Sequence, residues 1–232
     1  MSDYLFDTPE IRSIPVVGED KAYPVHRIFC VGQNYAAHAA EMGSTADYEA
    51  PFYFTKQPHA VIASGSTVPY PPGTENYHYE MELAFTLDKP LFRCTPEEAA
   101  DAIYSYGCAL DMTRRDLQAE AKAKLRPWDL AKDSENGAVF AAQTKVTDFG
   151  AVADQRISLA VNGETKQDST LSDMIHDCVG ILCHLSQFYH LGAGDVILTG
   201  TPSGIGPVVS GDKISGQIDG LTPIELTLSA PE

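Results

Sequence analysis

Residues 77–85, Tyr77-His78-Tyr79-Glu80-Met81-Glu82-Leu83-Ala84-Phe85, are an apolar stretch that carries two glutamates two positions apart. On a β-strand residues i and i+2 share a face, about 6–7 Å apart, so Glu80 and Glu82 fall together while Met81, Leu83 and Phe85 pack on the other side. Two carboxylates on one face of so apolar a strand repel each other and resist burial as anions. A fold that buries this strand must bring positive charge to it, most directly as a divalent cation. An exposed edge strand with one polar face would avoid the conflict.

The surrounding pattern is strand-rich. Residues 25–31 read as a buried strand, 34–42 as a short Ala-rich helix ending at Gly43, and 52–56, 61–68 and 77–87 as further strands. Thr95-Pro96-Glu97-Glu98 has the form of a capping box with proline at the first helical position, so a helix is expected over 96–104. A strand over 105–111 delivers Asp111, and Thr113 can cap a helix over 114–124. Asn162-Gly163 marks a hairpin within 157–167. Ser172 is expected to cap a helix running to Tyr189, with Met174, Ile181, Leu182, Leu185 and Phe188 as its apolar stripe. Strands and Gly-rich turns fill 195–228. The expectation is a mixed α/β, mainly β domain over 25–232 with a few short helices, preceded by an N-terminal extension over 1–24.

Charge narrows the function. Sixteen Lys and Arg stand against 32 Asp and Glu, a formal net charge of −16, which repels nucleic acid and anionic lipid. A dianionic small molecule would be repelled too, unless cations invert the field locally. No apolar run is long enough for a membrane span. The five cysteines form no C-x-x-C motif, and Cys178 and Cys183 read as buried helical thiols, so a reducing cytoplasm is expected.

Several residues can carry chemistry. Asp111, at a strand end, would complete a three-carboxylate set with Glu80 and Glu82. Hard oxygen donors of this kind select Mg²⁺, Mn²⁺ or Ca²⁺ over zinc, and three protein ligands leave an octahedral ion open to water and substrate. His38 and Glu41, three apart on a helical stretch, can form a carboxylate-oriented imidazole base, or equally a surface pair. Lys132 can stabilise negative charge developing on oxygen. The turn Thr199-Gly200-Thr201-Pro202-Ser203-Gly204 can hold a carboxylate through its N–H groups and the Thr201 hydroxyl, though a plain turn fits as well. Arg114, Arg115 and Gln118 lie beside Asp111 at a helix start.

Taken in order, these blocks resemble a known family. Ile28 to Gly43, Tyr79 to Ala84, Asp111 to Gln118, Lys132 and Leu198 to Pro202 are similar to the motifs of the fumarylacetoacetate hydrolase family, over residues 25–228. Asp111-Met112-Thr113-Arg114-Arg115-Asp116-Leu117-Gln118 followed by Arg126-Pro127-Trp128 resembles most its branch that cleaves fumarylpyruvate in gentisate breakdown. The resemblance implies a β-sandwich-like roll, a homodimer and a Mg²⁺ or Mn²⁺ cofactor held by Glu80, Glu82 and Asp111. It implies His38 and Glu41 as activators of water, with Lys132, Gln118 and Thr201 meeting the substrate; Arg114 at the helix start and Gly200 in the turn stand beside them as substrate-binding candidates. The chemistry implied for this catalytic domain is hydrolytic cleavage of a carbon–carbon bond in a 2,4-dioxo acid, with pyruvate enolate expelled. A β-keto acid decarboxylase acting on oxaloacetate, and a non-catalytic homologue that retains the metal and binds a dicarboxylate, are the alternatives. Two positions depart from the family pattern: Gln33 replaces an arginine, and Asp133-Ser134-Glu135 follows Lys132 with Glu135 the candidate substitute for an aspartate.

Overall fold

The computed structural model describes residues 4–232. Its backbone is dominated by strands, with short helices at the margins, in the mixed, mainly β class expected. An eight-stranded mixed sheet runs in the order 52–56, 27–32, 195–198, 81–87, 103–111, 138–140, 61–63, with 144–145 also paired to 103–111. A second sheet of five strands runs in the order 164–170, 156–161, 213–218, 224–229, 66–69. Their facing sides form the main core: Met81, Leu83, Phe85 and Leu87 from the first sheet meet Ile157, Ile214 and Leu226 from the second. On the outer face of the large sheet lies a smaller core with Ile28, Cys30, Ala84, Ala109 and Leu198. The ribbon of Ser13–Ile14 and Tyr23–Pro24 packs Ile14 and Tyr23 onto it. Among the described residues no helix is long and apolar enough to cross a membrane.

Two expected strands are each divided between sheets. The 61–68 stretch breaks at Gly65 (φ +84°), so that Val61–Ala63 pairs parallel with 138–140 in the large sheet while Ser66–Pro69 pairs parallel with 224–229 in the small one. Only glycine adopts that φ without strain. The 77–87 stretch breaks at Glu80. Tyr77–Tyr79 belongs to a three-stranded sheet with 113–114 and 206–208, and Met81–Leu87 enters the large sheet. Glu80 therefore sits at a joint rather than within a strand, and its carbonyl accepts from the Asp111 N–H at 2.9 Å.

Helix boundaries follow capping chemistry. The Thr95/Glu98 capping box is present and starts the helix Pro96–Ala102. Thr113 does not cap the next helix, Arg115–Ala123; its hydroxyl donates to the Asp111 carbonyl at 3.3 Å and accepts from Lys132. The long helix expected from Ser172 is replaced. Strand 164–170 runs to Thr170, whose capping box with Asp173 closes a single 3₁₀ turn, Leu171–Asp173. The α-helix Cys178–Leu185 then begins where Asp177 accepts from the Gly180 N–H at 2.7 Å. Phe188 consequently lies outside the helix and is 67 % exposed. Cys178 is buried and Cys183 half-buried; all five cysteines are free thiols.

Candidate active site

Three buried carboxylates, those of Glu80, Glu82 and Asp111, converge with one oxygen of each within 4.8 Å of the others. Glu82 comes from the strand Met81–Leu87, and Asp111 ends the neighbouring strand Ile103–Asp111. Glu80 is delivered by the joint between sheets. Glu82, Ala84 and Thr86 alternate with the apolar side chains of the main core, so Glu82 is directed to the outer face of the sheet.

Cations meet these acids. The Lys132 ammonium spends all three N–H groups on Glu80 Oε2 (2.5 Å), Asp111 Oδ2 (2.7 Å) and Thr113 Oγ1 (2.8 Å). Arg115 Nη2 donates to Glu80 Oε1, and Arg115 Nη1 donates to Gln118 Oε1 at 2.6 Å. Lys56, 1 % exposed, has its Nζ 2.8 Å from Asp111 Oδ1, an ion pair without the alignment of a hydrogen bond. That ammonium donates to the carbonyls of Met112 (3.0 Å) and Lys132.

The compensation is uneven. Burial opposes ionisation of Glu80, but the Lys132 and Arg115 charges outweigh it and hold its carboxyl well below the usual range. Among the described residues Glu82 has no cation in hydrogen-bond or ion-pair contact and accepts only from the Gly200 N–H at 2.7 Å. Burial first, then the charges of Asp111 and Glu80, push its pKa well above the carboxylate range. A divalent cation among these oxygens would relieve that excess, and an all-oxygen donor set suits Mg²⁺ or Mn²⁺. The residues present therefore fit such an ion.

The carboxylates open onto a narrow cleft lined by Gln33, His38, Arg115, Gln118, Lys132 and Thr201, among others. His38, 6 % exposed on the helix Ala36–Glu41, has Nδ1 3.2 Å from Glu41 Oε2. A carboxylate only accepts, so the neutral ring carries its proton on Nδ1 and leaves Nε2 as the base. Burial lowers the His38 pKa below 6.5, the Arg115 and Lys132 charges adding to it, against the opposing pull of Glu80 and Glu41. Glu41 also accepts from the Gly204 N–H at 3.0 Å, which ties this helix to the 199–204 turn.

Most of the residues singled out in the sequence gather here: His38, Glu80, Glu82, Gln118, Lys132 and Thr201 line the cleft, with Asp111 beneath it. Three do not take the expected place. Arg114 turns outward, its Nη1 on the Leu130 carbonyl at 3.1 Å, because it precedes the helix on the strand Thr113–Arg114; Arg115 reaches the cleft instead. Gly200 (φ +93°) has its N–H committed to Glu82 rather than to a ligand, and a Cβ there would lie 2.9 Å from Asn34 Cβ. Glu135 is exposed and does not line the cleft, while Asp133 accepts from the Gln57 N–H at 2.8 Å.

Sequence reasoning missed three buried supports. Lys56 is one. Asn34 donates to the carbonyls of His176 (2.9 Å) and Thr199 (2.8 Å) and accepts from the His176 N–H (2.8 Å), fixing the root of the His38 helix. Gln167, from the five-stranded sheet, accepts from the Met81 N–H (3.0 Å) and donates to Thr201 Oγ1 and the Pro202 carbonyl, both at 2.8 Å. Only Asn34 carried a signal, its place within the Ile28-to-Gly43 block.

Residues 27–229 match the family model described as fumarylacetoacetate (FAA) hydrolase C-terminal. A fumarylpyruvate hydrolase from Ralstonia sp is 48 % identical over 194 residues, covering 82 % of this chain and all of that protein. An oxaloacetate tautomerase from Escherichia coli (strain K12) is 40 % identical over 199 residues, covering 85 % of this chain and 90 % of that protein. The crystal structure of fumarylpyruvate hydrolase from Pseudomonas aeruginosa in complex with Mn²⁺ and pyruvate superposes with a TM-score of 0.94 at 38 % identity, over 98 % of this chain and 100 % of that one. With a family match over residues 27–229, relatives at 40 % and 48 % identity and a superposable crystal structure, the chain belongs to the fumarylacetoacetate hydrolase family.

Proposed function

We propose that this protein is a metal-dependent hydrolase that cleaves the carbon–carbon bond of an acylpyruvate, with 3-fumarylpyruvate giving fumarate and pyruvate as the preferred case. The observation that carries the reading is the oriented His38–Glu41 pair on the wall of a cleft floored by the three carboxylates. Its support from relatives is the 48 % identity to a fumarylpyruvate hydrolase.

Glu80, Glu82 and Asp111 would hold Mg²⁺ or Mn²⁺, which when bound supplies a Lewis acid for the oxygens of the pyruvyl end and for the enolate that forms there. His38 Nε2 takes a proton from water, and Glu41, on the other ring nitrogen, stabilises the resulting imidazolium. The water oxygen attacks the distal carbonyl. Collapse of the tetrahedral adduct breaks the bond to the pyruvyl methylene, and protonation of that carbon gives pyruvate. Gln118 and Thr201 offer hydrogen-bonding groups to the pyruvyl carboxylate. Arg115 and Lys132 supply positive charge where the chain as a whole is strongly acidic.

The second reading is an oxaloacetate tautomerase, favoured by the 40 % identical relative. It would need proton transfer at carbon but no activated water. Incubation with Mg²⁺ or Mn²⁺ and either fumarylpyruvate or enol-oxaloacetate separates the two. Fumarate release abolished by His38→Ala, with Mn²⁺ affinity retained, supports hydrolysis; tautomer exchange without any fumarate release overturns it.

A further inference from the structure

Beside the cleft lies a second, larger cavity of about 360 Å³, which shares Phe54, Trp128 and Lys132 with it. Its walls are aromatic: Phe52 meets Trp128 edge-on at 5.0 Å, Phe54 stands 6.1 Å from Trp128, and Tyr189 closes the rim. Lys132 Nζ lies 4.7 Å from the Phe54 ring, so the catalytic lysine stands at the junction of the two spaces.

We infer that this cavity receives the acyl arm of the substrate, and that Arg126 at its mouth binds a carboxylate at the end of that arm. The inference rests on the acylpyruvate reading and extends it to the part of the substrate the cleft does not hold. Three charged residues line the cavity: Lys132, Asp129 and Arg126. Lys132 is fully committed to Glu80, Asp111 and Thr113. Arg126 is exposed, and among the described residues its guanidinium makes no hydrogen bond or ion pair, not even with Asp129. Its backbone is nevertheless held: the Arg126 N–H donates to the Ala121 carbonyl at 2.8 Å, and Pro127 restricts the following bond.

An uncommitted guanidinium on a cavity with flat aromatic walls matches one ligand chemistry. A planar, unsaturated acyl chain can lie against Phe54 and Trp128, and a terminal carboxylate can take two parallel N–H donors from Arg126. In a chain of net charge −16 a distal carboxylate needs such a local cation. Oxaloacetate, a four-carbon acid, has no arm to fill this space, so on this assignment the cavity favours the acylpyruvate of the two substrates considered above.

The test is steady-state hydrolysis with Mn²⁺ of two substrates that differ only at the arm's end: fumarylpyruvate, and crotonylpyruvate with methyl in place of the carboxylate. Arg126→Leu is expected to reduce the preference for fumarylpyruvate about ten- to a hundredfold, through KM, with Arg126→Lys recovering part of it. Equal losses on both substrates, which would signal general damage, overturn the assignment, as does an unchanged preference. A wild-type protein that hydrolyses neither substrate overturns the acylpyruvate reading, and this inference with it.

Discussion

Lys56 carries a charge in a region that excludes water, held there by Asp111 and two carbonyls. Removing it leaves the Asp111 Oδ1 anion and both carbonyls without their partner. Lys56→Met is therefore expected to destabilise the fold by about 3–5 kcal/mol in chemical denaturation, whereas breaking the exposed Lys124–Glu120 pair should have little effect. His38 gives a prediction of a different kind. A pKa lowered by burial keeps the imidazole neutral, and competent as a base, to more acid pH than a free histidine. Activity should thus be retained as pH falls past 6.5 and lost only as it passes through the lowered value. A kcat/KM profile whose acid limb sits at or above 6.5 would count against His38 as the base.

Elements act here as carriers that bring distant side chains into one place. Gln167 links the strand Met81–Leu87 to the turn that bears Thr201, and by donating to Thr201 Oγ1 it leaves that hydroxyl's own hydrogen for a ligand in the cleft. Gln167→Met preserves volume and removes the bonds; it is expected to weaken pyruvate inhibition about tenfold. In a Thr201→Val background most of that effect should vanish, whereas simple loosening of the fold would persist. The pairing of Glu80 and Glu82 was legible because two carboxylates on one face conflict with an inert apolar strand; Asp111 and His38 were candidates by type, and only the fold brings them beside that pair. Lys56 and Gln167 were not, since a lysine at a strand end and a glutamine in a polar strand look like surface until a second sheet covers them. The failure at 172–189 has the same origin. The apolar spacing there suits a helix, but Thr170/Asp173 and Asp177 offer the backbone competing caps, which divide the segment. Nor does periodicity reveal that 61–69 and 77–87 change sheets, because each half alternates correctly by itself.

For the whole molecule, the imbalance at Glu82 links metal, protons and stability. An ion that binds only the folded carboxylate cluster raises stability by about 2.7 kcal/mol at a hundred times its Kd. Mn²⁺ is accordingly expected to raise the melting temperature of the protein, and Glu82→Gln to abolish that shift. Because burial and its acidic neighbours favour the protonated form of Glu82, the ion must displace a proton, so Mn²⁺ affinity should rise with pH in calorimetric titration. An affinity that falls with rising pH would place the ion elsewhere.

The sheet change at Gly65 has a consequence for synthesis. Strand Ser66–Pro69 finds its partner only in 224–229, and Thr201 and Gly200 also arrive late in the chain. A nascent polypeptide emerging from the ribosome carries Glu80, Glu82 and Asp111 long before the strand that closes the second sheet over the main core. The second sheet therefore closes over the main core through a pairing between segments remote in sequence, 66–69 and 224–229, the kind of contact that forms slowly in folding.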